Sequence, residues 1–453
     1  MQIVEFFMKE KFRVKVISEA EAGCSVDELW TAVERFTEWL EKTGYGSYDP
    51  YDFWGTAYGK LARRLYYRKN PVGVLLTAPF ILLEIVYPGY RRLFVRRDRY
   101  PTADAQLGLA FLNLYSAKSG QVPAKAGAEK YSAKERPAEF WLRRAKVVAA
   151  DLLKQSIPGY KGNCWGYPFD WQHVNGFMPR GTPHITATPY CYELFTRLYD
   201  LTGEDQYLKT AESIAAFVFE DLKDTPTGLD SAASSYTPYD RTKVVNASAY
   251  RAFVLVDAAE RFRNETYRTK ACKNVRFILQ SQNSDGSWLY AIDNPAEAFI
   301  DNFHTCFVLK NLYKLNRHLK SEEIRQAVRR GYEWYRTALF DDEDNPKSYA
   351  IAPRVEIVRT EMYNVAEAIS LGVLIGSEFP DAAVLAERQT EKLTRNYGLS
   401  SGHWVTRVYI GGIRHTLPYL RWPQSQLFLA LTNFLMATSK QCNPVNECMR
   451  VAQ

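Results

Sequence analysis

The chain has 453 residues, 46% of them hydrophobic and 24% charged, which excludes a disordered protein and supplies material for a large core. Its net charge of +7 is too small and too local to argue for a nucleic-acid partner. Length suggests two or three domains, unless a closed repeat holds the whole as one.

Thirty Tyr, 24 Phe and ten Trp are enough to line a sugar-binding cleft, although packing between helices is an equal use for such rings. Seven cysteines (Cys24, Cys164, Cys191, Cys272, Cys306, Cys442, Cys448) form no CxxC pair and read as reduced thiols. Cys442 and Cys448, near the C-terminus, are the one pair expected to be able to bridge. The N-terminal stretch MQIVEFFMKEKFRVKV is too short and too charged for a signal peptide, so a cytoplasmic location is expected.

Ser25-Val-Asp-Glu28 is a capping box opening an amphipathic helix to about Thr43, with Trp30, Val33, Phe36 and Leu40 on one face. A turn-rich loop follows from Gly44 to Gly55. Between residues 60 and 99, ten Lys/Arg face two acids, Glu84 and Asp98, so this one segment exceeds the net charge of the whole chain. It brackets an apolar run, Val72–Tyr87, of 16 residues with Pro79 and Glu84 inside it. A membrane span needs roughly 20 apolar residues. The favoured reading is a buried core helix with solvated basic ends. Peripheral contact with the inner membrane through 60–99 is the alternative, since basic flanks suit anionic lipid.

After Pro101 a repeat begins. Apolar helices start near residues 103, 189, 246, 301, 361 and 420, and amphipathic helices follow at 137–155, 206–222, 265–282, 322–339 and 381–396. This alternation predicts an all-α (α/α)6 toroid, with apolar helices inside and amphipathic ones outside. The sixth outer helix is missing, and the helix at 26–43 is expected to fill its place beside 420–438. The expected organisation is an N-terminal helical extension over 1–100, the toroid over 101–440 and a tail over 441–453. Strands should be minor and confined to loops such as Trp404–Ile410.

In such a ring the loops before the inner helices converge on one mouth, and helix N-termini there favour anions. They carry Asp170, Trp171 and His173; then His184 and Tyr190; then Asp230, Tyr239, Asp240, Arg241 and Asn246. The fourth carries Trp288, Tyr290, Asp293, Asn294, Asp301 and His304; the fifth Arg354, Glu361 and Asn364; the sixth His415, Tyr419, Arg421, Trp422 and Gln424. Acids and His can move protons, Arg can grip a carboxylate and aromatics can stack on sugar faces. Asp170, Asp301 and His304 are therefore the catalytic candidates. Trp171, His173, Tyr190, Asp240, Asn246, Trp288, Glu361, Tyr419, Arg421, Trp422 and Gln424 are the substrate-binding candidates. Each also has a structural use: Asp before an apolar run caps helices, and buried Trp packs. The six His are scattered singly, so no metal and no other cofactor is expected. GxSxG, P-loop and GxGxxG motifs are absent.

The sixfold hairpin count with aromatic, acid-bearing loops resembles the six-hairpin toroids of glycoside hydrolases, polysaccharide lyases and sugar epimerases. That resemblance spans roughly residues 100–440 and implies a saccharide or lipid-linked glycan substrate. More narrowly, CWGYPFDWQ (164–172), DNFHT (301–305) and YLRWPQ (419–424) resemble an uncharacterised bacterial group encoded near surface-polysaccharide genes. Some members of that group carry a delta-aminolevulinic acid dehydratase label, which a helical repeat does not fit. Hydrolysis, elimination and epimerisation stay open, with a non-catalytic glycan-binding or scaffold protein as the rival. RTKACKNVRFILQSQNSDGSW (268–288) resembles the QW repeat of terpene cyclases, but it occurs in one good copy and DxDD is absent.

Overall fold

The structure is a computed structural model that describes residues 25–119, 135–353 and 355–441. Cys24, Cys442, Cys448, Arg354 and nearly all of the 441–453 tail lie outside the described residues. The chain is an all-α (α/α)6 toroid. The inner helices are α4 (Pro101–Lys118), α6 (Thr188–Thr202), α8 (Val245–Phe262), α10 (Asn302–Leu319), α12 (Met362–Ile375) and α14 (Ser425–Gln441). The outer helices are α5 (Ala138–Lys154), α7 (Asp205–Glu220), α9 (Glu265–Gln280), α11 (Glu322–Ala338), α13 (Pro380–Asn396) and α1 (Val26–Thr43).

Hydropathy sorts the two rings. In α11 the buried residues are Ile324, Ala327, Val328, Gly331, Tyr332 and Tyr335, one stripe at helical spacing. In α4 nearly every position from Ala103 to Leu114 is buried, because this helix has neighbours on all sides. Short connections turn the pairs α6–α7, α8–α9, α10–α11 and α12–α13 antiparallel. Gly203, Arg263 and Lys320 sit in the left-handed conformation at the ends of α6, α8 and α10, and Asn264 and Ser321 cap the helices that follow.

The ring closes where the spacing predicted. The Ser25–Glu28 capping box forms, and Phe36 of α1 lies 4.6 Å from Phe428 of α14 and 4.8 Å from Trp404. Arg35 reaches across to the Leu399 carbonyl. In the inner ring, Asn113 of α4 donates to Thr432 and Asn433 of α14. The sixth inner helix starts at Ser425 rather than near 420, since Pro423 cannot donate to a helical ladder.

One brace recurs after the outer helices. The Trp165 indole donates to the Leu152 carbonyl at the end of α5, and Trp288 donates to Ile278 near the end of α9. In QSQNSDGSW, the Gln282 amide donates to the Gly286 and Ala327 carbonyls. Gly286 has φ 99°, and a Cβ there would stand 2.5 Å from the Arg330 carbonyl oxygen. The QW-like stretch is a strut between α9 and α11.

Strands are short and sit in the loops: β1 (Trp171–His173) with β2 (Gly176–Met178), β3 (Asp224–Gly228) with β4 (Ser231–Ser234), and β5 (Ile300–Asp301) with β6 (Tyr349–Ile351). A three-stranded sheet orders β7 (Val358–Glu361), β8 (Arg407–Tyr409) and β9 (Arg414–His415), of which β8 lies in the Trp404–Ile410 loop expected to hold strand.

Between α1 and α4 in the chain lie α2 (Ala57–Tyr67) and α3 (Pro71–Val86), packed as a hairpin. Asn70 caps α3 with Pro71 at its first turn. Gly73 lets the helices touch, since a Cβ there would lie 2.2 Å from the Tyr66 nitrogen. The expectation that α3 is a buried core helix is wrong: only Gly73 and Thr77 of it are buried. Leu76, Phe80, Ile81 and Leu83 cover a small satellite core of Phe53, Trp54, Ala62 and Tyr90, and the opposite face has no covering among the described residues. Among the described residues no helix is long and apolar enough to cross a membrane.

Candidate functional site

A cavity of about 1710 Å³ opens at the end of the toroid where the inner helices begin. Every inner helix contributes at or near its N-terminus: Thr102, Tyr190, Asn246, His304, Tyr363 and, just before α14, Trp422. Tyr190, Tyr250, Phe307 and Tyr363 supply an aromatic wall, next to a buried Lys310–Glu367 pair at 2.5 Å that Gln426 also engages. The β1–β2 hairpin and α2 form part of the rim, with Arg63, Tyr66, Tyr67 and Lys69 facing the opening.

Asp301 and His304 form a dyad on this wall. Asp301 is the N-cap of α10, taking the His304 backbone N–H at 3.2 Å. Its carboxylate, 2% exposed as a residue, also holds His304 Nδ1 at 2.7 Å. Helical geometry brings residues three apart onto one face, so one side chain caps the helix and orients the imidazole. With Nδ1–H donated to Asp301, Nε2 carries the lone pair. It has no hydrogen-bond partner among the described residues. Tyr290, Phe303 and Phe307 pack around the ring with centroids 4.5, 4.2 and 5.6 Å away, which fixes its orientation.

Arg421 stands elsewhere on the wall. Asp49 binds its Nε and Nη2 at 2.5 and 2.8 Å, and its guanidinium carbon lies 4.7 Å from the Tyr167 ring centre and 5.5 Å from that of Trp422. Burial opposes the charge, but Asp49 holds the group protonated. Nη1 is the guanidinium nitrogen without a hydrogen bond among the described residues. Trp422 stacks on Tyr363 at 4.1 Å and 14°. Its indole N–H is buried and unpartnered, as are both amide atoms of Asn246. Buried polar atoms are nearly always paired, so those on a cavity wall are suited to a polar ligand or water. His184 behind this wall is fully buried between Tyr167 and Tyr236. Burial pushes it down to about 4, and it stays neutral.

Of the sequence candidates, Asp301, His304, Trp171, His173, Tyr190, Asp240, Asn246, Arg421 and Trp422 line the cavity. Asp240 is spent on its own loop: its two oxygens accept five hydrogen bonds from Tyr236, Thr237 and Thr242. Trp171 and His173 sit side by side near the rim at 5.0 Å, and burial lowers the His173 pKa.

Five candidates are corrected. Asp170 is off the cavity wall, its carboxylate bound to Lys60 at 2.5 Å and to the Arg180 backbone N–H. There it ties α2 to the β1–β2 hairpin. Trp288 is the strut described above. Glu361 pairs with Arg407 at 2.5 Å. The Tyr419 hydroxyl donates to Glu84, and Gln424 is exchanged between the Trp404 backbone N–H and carbonyl.

The structure adds Glu297, which sequence reasoning passed over. It lines the cavity, is 8% exposed, and accepts from Asn175 and Asn294. Burial raises its pKa. The preceding Asn294-Pro295 turn was the local signal, since it begins a short helical turn that aims the following side chains.

No known protein-family model matches the chain, and no curated protein sequence matches it. Solved structures do. A cellobiose 2-epimerase from Bacillus thermoamylovorans superposes with a TM-score of 0.59 at 12% identity, covering 92% of this chain and 99% of that one. An unsaturated glucuronyl hydrolase specific for heparin gives 0.55 at 11%, over 90% and 96%. A polysaccharide lyase gives 0.52 at 10%, over 92% and 98%. At such identities the likeness establishes the six-hairpin toroid fold and nothing finer.

Proposed function

We propose that this protein is a carbohydrate-active enzyme that moves a proton at a sugar carbon, in the manner of an epimerase or a lyase. His304 is the base and Asp301 holds it. The observation that carries this reading is the dyad on the cavity wall, together with the state of the acids around it. Hydrolysis by two carboxylates needs both free to act on the glycosidic bond. Among the described lining residues the acids are Asp240, consumed by its loop, Asp301, consumed by His304, and Glu297.

His304 Nε2 takes the proton from a carbon next to a carbonyl or carboxylate, leaving the electron pair in an enolate-type anion. Return of a proton to the opposite face inverts that carbon; loss of the neighbouring substituent leaves a double bond. Glu297, protonated over a wider pH range than an ordinary carboxyl, is suited to give the proton. Arg421 is suited to the developing negative charge, Asn246 and Trp422 to hydroxyls. We further place the substrate among lipid-linked glycans of surface-polysaccharide biosynthesis at the cytoplasmic face of the membrane, a reading supported by CWGYPFDWQ, DNFHT and YLRWPQ.

The test is incubation with an oligosaccharide panel in deuterated water, followed by NMR and mass spectrometry. Epimerisation or exchange puts deuterium on a ring carbon, and elimination creates new ultraviolet absorbance. Addition of water without exchange would replace this mechanism by hydrolysis. Binding without turnover across the panel would leave a glycan-binding or scaffold protein.

A further inference from the structure

The outer face of α3 is apolar and uncovered. Leu75 is 73% exposed, Leu82 59% and Val86 60%, and the turn after the helix continues the patch with Leu93 at 80%. Apolar surface that is this contiguous, rimmed by charge, marks an interaction site. The rim has one sign. Arg64, Arg68 and Lys69 are exposed at one end of α3, and Arg92 and Arg96 at the other. From residue 57 to 97 the only acid is Glu84, and it turns inward, accepting from Arg91, His415 and Tyr419.

We propose that the α2–α3 hairpin docks on an anionic lipid bilayer, with α3 lying in the interface. Apolar side chains enter the headgroup boundary while cations at both ends meet lipid phosphates, the combination that holds helices on anionic membranes. The helix has 16 residues, about 24 Å at 1.5 Å each, and it lies along the surface rather than crossing it. A second copy of the chain fits poorly, since a two-fold contact would set this cationic rim against itself. The same hairpin bounds the cavity: Arg63, Tyr66, Tyr67, Lys69 and Val74 face it. Docking therefore brings the cavity mouth to the headgroups. Resting on the proposed sugar chemistry, this makes the substrate a glycan still attached to a membrane lipid, with Arg63 and Lys69 placed for its phosphates.

The experiment is flotation of the full chain with vesicles of phosphatidylcholine alone or with about a third phosphatidylglycerol, needing neither sugar nor turnover. Binding is expected to the anionic vesicles, to weaken with salt, and to fall about fivefold for each of Arg64→Gln and Arg68→Gln. Leu75→Asp with Leu82→Asp should abolish it; both sites are exposed, and unchanged circular dichroism and melting would confirm the fold. Absence of wild-type binding, equal binding to both vesicle types, or binding that survives the double variant would overturn the proposal. A solution dimer that the double variant dissociates, without vesicle binding, would assign the patch to a second copy.

Discussion

Replacing Glu84 by Gln removes the pin that holds α3 to the toroid while keeping the side chain's size. Glu84 takes Arg91 Nε and His415 Nε2 at 3.0 Å each and the Tyr419 hydroxyl at 2.5 Å. Burial works against its charge, but Arg91 and the two hydrogen bonds bring its pKa from 4.5 down to about 2. A shift of that size favours the ionised folded state by about 3 kcal/mol. A depressed carboxylate contributes its stability above the unfolded pKa and loses it as pH falls through the folded one. The wild-type advantage over Glu84→Gln should thus be about 3 kcal/mol at pH 7 and about half that near pH 3. Urea unfolding of both proteins across that range measures it. A difference below about 1 kcal/mol at neutral pH, or one that does not shrink with acid, would refute Glu84 as an ionised anchor.

Asp301→Asn leaves the cap but favours the wrong imidazole tautomer, so turnover should fall by about 10²–10⁴-fold with substrate affinity retained, as read by deuterium exchange and calorimetry. Asn246→Leu should raise the stability of the free protein by about 1 kcal/mol, because it removes two unpaired buried polar atoms, and should weaken saccharide binding; thermal melting and calorimetry report the two effects. If Glu297 donates the proton, activity should decline as pH rises through its raised pKa, and Glu297→Gln should remove that limb of the pH profile. Gly73→Ala should separate α2 from α3 and expose the 68–72 turn to protease, since its Cβ would meet the Tyr66 and Leu65 backbone.

The ring was legible in the sequence because helical period and hydropathy are local and repeat: α11 shows one buried stripe and α4 none, and that contrast alone sorts outer helices from inner. Closure by α1 was legible for the same reason, as an amphipathic helix without an inner partner beside an inner helix without an outer one. The α3 run defeated the same logic. An apolar stretch lacking a polar face looks alike whether a neighbour covers it or nothing does, so Val72–Tyr87 read as core. Glu84 counted only against a span, because its partners Arg91, His415 and Tyr419 come partly from more than 300 residues away.

The site divided on a different line. Asp170, Asp240 and Asp301 are all acids in polar loops, and the sequence made each a site candidate, the first and last as catalytic and Asp240 as substrate-binding. What separates them is how many of their lone pairs the fold consumes. Asp240 closes a turn upon itself, and Asp170 joins Lys60 of α2 to the β1–β2 hairpin. Asp301 takes the His304 backbone N–H in the helix's first turn and the His304 Nδ1–H, so its carboxylate orients and polarises a ring that faces the cavity. Chemistry at this mouth therefore follows from hydrogen-bond saturation more than from residue type. Asn246, Trp422 and Arg421 Nη1 follow the same rule, being polar groups that the folded chain alone leaves unsatisfied. The charge that orders the wall, Asp49 on Arg421, comes from the loop that also carries Asp52 to Arg91 beneath α3. One short segment thus couples the uncovered apolar helix to the cavity.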